Sequence, residues 1–220
     1  MSIIARNQSP RRLLPQTAVG FLSLMVAALV LPAAVLASAV TPRDAQVLVM
    51  PESRLWIEGT SSVRAYQCHA TKLDGQIGLA GEPGVGVESF AGAVNAVSLD
   101  IPLESFDCRN GQMNGHMRGA LKANEHPVIQ FRMKSHEDAL TAEGTLTVTL
   151  TGTLAIAGQE KEITLTATVV QDTAGQYRVT GSHELDMTEW GVKPPRLMFG
   201  TLKVHDKVMV RYDILLGTAL

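Results

Sequence analysis

Aromatic residues are scarce in this chain: two Trp, three Tyr and five Phe among 220 residues. An interior without many rings must be built from Leu, Val, Ile, Ala and Met, and such an interior can be incompletely filled. Charge is also thin at 18%, and no run of basic residues occurs, so the electrostatic footprint of a nucleic-acid or anionic-membrane binder is missing. The six histidines, at positions 69, 116, 126, 136, 183 and 205, form no His-x-His, His-Glu-x-x-His or Cys-His group, which excludes the usual zinc arrangements. No Gly-x-Ser-x-Gly elbow is present. His126, ahead of Pro127, reads as a residue leading into a strand rather than as a base. No catalytic residue and no metal ligand is assigned, and the chain is not read as an enzyme.

Two cysteines, Cys68 and Cys108, are all the sequence has. In an oxidising compartment an isolated pair is most simply one disulfide. The N-terminus points to such a compartment. Arg6, Arg11 and Arg12 precede an apolar run from Ala18 to Leu36, and Ala37-Ser38-Ala39 supplies small residues for cleavage. This is the pattern of a secretory signal over residues 1–39, with a retained membrane anchor as the alternative. Cleavage would leave one domain of net charge −5 with no stable membrane insertion, periplasmic or secreted. Residues 40–50 are expected to be a flexible lead-in.

What the chain has in quantity is alternation. Leu146, Val148, Leu150, Leu154 and Ile156 share one parity, and Thr145 to Thr153 the other. After a turn at Ala157-Gly158-Gln159-Glu160 the pattern resumes with Ile163, Leu165, Ala167 and Val169. A period of two puts each set on one face of a strand, with Thr suited to the wet face. Shorter alternating runs occur at Leu55–Ile57, 62–71, Val97–Leu103, Ile129–Met133, Gln176–Asp186 and Val208–Leu216. Residues 78–86 hold four glycines and Pro83 and read as a loop. Met113, Met117 and Leu121 recur at helical spacing after Asn110-Gly111 and before His126-Pro127, giving one short helix. Eight strand-like segments with one helix predict an all-β, mainly antiparallel fold. A closed barrel of eight strands is near the size at which a lumen just fills or holds one ligand, although a β-sandwich core would alternate in the same way.

The order of segments is similar to that of the YceI-like family, exported lipid- or polyisoprenoid-binding barrels of lipocalin-like shape. Gly115-His116-Met117-Arg118 and His126-Pro127-Val128-Ile129-Gln130-Phe131 resemble the family's helix and following strand. The segment Gly152 to Lys161 resembles its "G-x-L-x-I-x-G-x-x-K" turn, and Thr188-Glu189-Trp190-Gly191-Val192 its late "D/E-F-G-I" loop, with Trp190 in place of the commoner Phe. The resemblance spans residues 50–216, and the paired cysteines resemble one branch of the family. It implies an eight-stranded up-and-down barrel over residues 51–217. It also implies a hydrophobic small-molecule partner: a polyisoprenoid, quinone or fatty-acid derivative rather than a cofactor.

The expected lining is the even face of Leu146–Ile156, the odd face of Ile163–Val169, and Ile129, Phe131, Val208, Val210 and Tyr212. Trp190, Met198 and Phe199 lie in a proline-containing stretch and read equally as a plug or as an apolar portal. Lys193 and Arg196 on that stretch could meet a polar head group, though exposed basic residues usually only solvate. Two other readings stand beside the container. One is a solid-cored envelope or stress protein acting through its surface. The other is a periplasmic copper carrier using Met113, His116 and Met117, but these two Met share a face with Leu121, as a packed helix requires. The oligomeric state is open between monomer and homodimer.

Overall fold

The computed structural model describes residues 45–81, 86–173, 176–197 and 201–218. The expected signal, residues 1–39, lies outside them, as do Met198 and Phe199. The strands are β1 (Ala45–Val49), β2 (Arg54–Ser61), β3 (Ala65–Ala70), β4 (Asp74–Leu79), β5 (Val94–Pro102) and β6 (Phe106–Asp107). Helix α1 (Gly111–Ala120) follows, then β7 (Val128–Leu140), β8 (Leu146–Ile156), β9 (Gln159–Thr173), β10 (Gln176–Asp186), β11 (Arg196–Leu197) and β12 (Leu202–Thr218).

Ten of the twelve strands found among the described residues occupy eight places in a closed ring, while the two-residue β6 and β11 pair with β3 and β12. β1 and β2 both pair with β12 and share one place, broken at residues 50–53. β3 and β4 pair with β2 and β1 respectively and share the next, broken at 71–73. From there the order β4-β5-β7-β8-β9-β10-β12 returns to β1, each pairing antiparallel. Closure removes the free sheet edges that an open sheet would expose. Among the described residues the observed architecture is therefore an all-β barrel with one α-helix. One expectation is corrected. Ala45–Val49, taken as flexible, is the strand that closes the ring, with Val47 buried between Ile77 and Thr218.

The β8–β9 hairpin follows the alternation in register, Leu146 opposite Val169 through to Ile156 opposite Gln159. Its turn is tighter than the sequence suggests. Only Ala157 and Gly158 form it, at φ 49° and 80°, the paired positive values of a two-residue hairpin turn, and Gln159 and Glu160 already belong to β9. On the outer face Thr151 and Thr164 are directly paired, their hydroxyls 3.2 Å apart. β7 runs well past the expected Met133. A bulge between Met133 and Ser135 re-phases it, so that His136 and Asp138 sit opposite the inward Leu150 and Val148.

The two ends of the barrel differ. At the end holding the β4–β5 connection, Val47, Leu79, Phe90, Leu146, Tyr177 and Leu216 pack into a floor, with Phe90 and Tyr177 edge to face at 4.3 Å. Asp138 fastens this end by accepting the Gly92 N–H at 2.6 Å. At the opposite end α1 and the 187–192 segment form a roof with Trp190, Val192, Leu121 and Leu185. The Asn110 side chain caps α1 by accepting the Met113 N–H at 3.0 Å. A disulfide between Cys68 of β3 and Cys108, two residues before that cap, ties α1 to the wall.

Candidate functional site

Between floor and roof the barrel is hollow. A cavity of about 460 Å³ runs along its axis, within the range of small-molecule sites. It is far larger than the roughly 150 Å³ apolar voids that stay dry and take up benzene. Its wall comes from inward positions of every long strand, so the same period of two that makes the strands also makes the lining.

Most of the expected lining residues face this space: Ile129, Phe131, Val148, Leu150, Leu154, Ile156, Ile163, Leu165, Val169, Trp190, Val208, Val210 and Tyr212. Leu146 does not. It is fully buried in the floor beneath the cavity. Trp190 is a fixed part of the roof, its indole N–H donating to the Leu154 carbonyl at 3.0 Å. Met113, Met117 and Leu121 bring the apolar face of α1 onto the same cluster and into the lining. Val49, Ile57, Ile77, Leu99, Val179 and Leu185 complete the wall from strands whose alternation is short or interrupted by glycine.

How the space stays open despite large rings is visible at three glycines. Tyr66 lies over Gly59, Phe131 over Gly152 and Tyr212 over Gly181, each ring occupying the place a β-carbon would take on the neighbouring strand. Aromatic rings laid on glycine are a recurrent device of curved sheets. Here it keeps the rings flat on the wall and out of the lumen's centre.

Polar groups along the lumen are few. The Tyr212 hydroxyl donates to the Thr166 carbonyl at 2.8 Å, and burial pushes its pKa up to about 12. Burial likewise raises Tyr66. His183 lines the wall opposite Val210, where burial holds its pKa below the ordinary imidazole value against the opposing charge of Glu184. It is therefore predominantly neutral at pH 7. Near the roof the lining turns polar with Ser61, Arg64, Asn110, Gln112 and His116. Lys193 is exposed and not part of the lining. Among the described residues no cluster of three His, Cys, Asp or Glu is placed to hold a metal.

A closed antiparallel barrel with a solid floor, a helix-bearing roof and an apolar lumen defines a lipocalin-like class of hollow binding barrels. Within that class the chain belongs to the YceI-like domain family, whose pattern matches residues 56–216. No curated protein matches it. Among solved structures it is similar to BcnA of Burkholderia cenocepacia, at 17% identity and a TM-score of 0.59 over 74% of this chain and 95% of that one. It is also similar to a polyisoprenoid binding domain from Saccharophagus degradans implicated in plant cell wall breakdown, at 15% identity and a TM-score of 0.62 over 80% of this chain and all of that one. A YCEI protein of Campylobacter jejuni aligns at 15% identity and a TM-score of 0.53 over 70% of this chain and 85% of that one. At these identities the similarity concerns the fold.

Proposed function

We propose that this chain is an exported, non-enzymatic binding protein that holds a long-chain amphiphile with its tail in the lumen. The observation that carries the reading is the continuous apolar cavity of about 460 Å³. A solid-cored structural protein would have closed that space, because interiors normally pack to crystal-like density and an empty apolar void forfeits dispersion contacts. Filling it with a hydrocarbon tail recovers about 0.8 kcal/mol per buried methylene. The structural neighbour from Saccharophagus degradans, named for polyisoprenoid binding, supports a tail of that kind. The placement of Met113 and Met117 beside Leu121 over the lumen favours this use of the thioethers over copper transport. The Cys68–Cys108 disulfide and the apolar N-terminal run support export to an oxidising compartment.

The test is titration of the residue 40–220 protein with a fluorescent long-chain alcohol. Saturable one-to-one binding, competed by unlabelled chains, is the expected result. Absence of saturable binding overturns the container reading.

A further inference from the structure

The described lining of the lumen carries charge of the opposite sign to the domain around it. Residues 40–220 carry a net charge of −5, yet no Asp or Glu is among the residues lining the cavity. Among the described residues the one permanently charged group there is Arg64, in the β2–β3 turn at the roofed end. On the outer wall, Arg132, Arg178 and Arg211 each face a carboxylate. Arg64, like Arg54 and Arg118, has no such ion pair among the described residues, and of these three it alone lines the cavity. Its backbone alone is engaged, with Ser61 closing the turn through its hydroxyl to the Arg64 carbonyl at 2.8 Å. The turn is anchored from the other side, where the Ser62 N–H donates to the Lys203 carbonyl at 2.9 Å. A guanidinium on an anchored turn has less freedom to lose on binding than one on a loose loop. Beside it Val63 stands 70% exposed, an apolar rim next to a cation.

The start of α1 adds donors at the same end. The Asn110 side-chain oxygen is used by the cap, which leaves its amide nitrogen available, and Gln112 and His116, about one turn apart on α1, also line the cavity.

From this juxtaposition of an apolar lumen, an unpaired guanidinium and uncommitted donors, with no acid, we propose that the bound amphiphile is anionic. Arg64 holds its carboxylate or phosphate head at the mouth while the tail descends toward the Phe90–Tyr177 floor. This inference rests on the container reading and adds the head group and the residue that selects it. A guanidinium presents a planar fork that matches both anions, whereas a hydroxyl head offers it no charge to pair.

The experiment compares three fluorescent polyene probes with one tail and different heads: carboxylate, monophosphate and alcohol. They are titrated at low and at moderate salt into the wild type, Arg64→Gln and Arg64→Lys. The expected result is that one or both anionic probes bind the wild type about five- to tenfold more tightly than the alcohol. Salt should narrow the gap. Arg64→Gln should erase the difference between the anionic and alcohol probes, and Arg64→Lys should keep part of it. Whichever anionic probe shows the larger gap identifies the head chemistry. Equal wild-type affinity for all three, or a gap that survives Arg64→Gln, overturns the anionic assignment and leaves the container reading standing. Failure of every probe to bind the wild type overturns both.

Discussion

If the lumen holds a hydrocarbon tail, affinity must rise with tail length in steps fixed by transfer energy and stop where the cavity is full. Each added methylene is worth about 0.8 kcal/mol, about fourfold in Kd at 25 °C. Taking a methylene as about the size of a water molecule, whose share of liquid volume is about 30 Å³, the cavity of about 460 Å³ accepts on the order of fifteen of them. A series of straight-chain alcohols should therefore gain affinity steadily up to that length. The alcohol head keeps the series independent of Arg64. Leu150→Trp supplies the internal control. Leu150 faces the lumen opposite Leu165, and a ring added there enters empty space. The fold should melt within a few degrees of the wild type. The indole should remove room for about two or three methylene-sized groups, so long-chain alcohols lose about 2 kcal/mol, or about thirtyfold in affinity, while the shortest lose little. Competition against a fluorescent probe reads both effects. A flat length series, or identical series for wild type and Leu150→Trp, would refute the claim that this face lines the binding space.

Four further outcomes follow from individual contacts. Cys68→Ala with Cys108→Ala removes a 40-residue closure, and denaturant unfolding should show a loss approaching 4 kcal/mol as an upper figure on the chain-entropy model. Gly115→Ala, on the open side of α1 where a β-carbon meets nothing, should raise stability by about 0.5–1 kcal/mol in the same assay; a loss would contradict the placement. Gly181→Val must displace the Tyr212 ring, and overpacking should cost about 1–3 kcal/mol by chemical unfolding, with the Tyr212-to-Thr166 bond broken. His183 has a folded-state pKa below its unfolded value, so its contribution is present above the unfolded pKa and is lost as pH falls through the folded one. Thermal melts at pH 7 and pH 5 should therefore show less acid destabilisation in His183→Leu than in the wild type, and equal pH dependence would sink that assignment.

The parts of this structure legible in the sequence are those whose local pattern coincides with a long buried face. β8 and β9 are long, strictly alternating and rich in Thr, so their register and inward face could be read directly. Helix α1 carried both its apolar spacing and its cap at Asn110. β1 and β4 were hidden for opposite reasons. Ala45–Val49 is too short to show a period, and its strand identity comes from pairing with β4 and β12. Asp74–Leu79 contains Gly75 and runs into the stretch 78–86, which reads as a loop. Gly75 is in fact a site of close packing by Val49 and Leu99. In β7 the polar stretch after Met133 gave no apolar face to follow, because the bulge had shifted its phase.

The same logic applies to the site. Parity assigned most of the wall correctly, but it could not say that Leu146 lies beneath the lumen, since depth along a strand is set by the cap at each end. Arg64 was passed over because the sequence places it inside the alternating run 62–71, whereas in the structure β3 begins only at Ala65 and Arg64 belongs to the turn before it. Its position became meaningful only when the fold placed the β2–β3 turn and α1 on the same cavity.

The most direct test of the central claim is native mass spectrometry, with organic extraction, of the protein purified from its own host. A binding barrel with an apolar cavity of about 460 Å³ should carry a hydrophobic molecule of a few hundred daltons at one per chain, released by solvent. An apo mass throughout, with an empty extract and no saturable uptake of a long-chain probe, would contradict it.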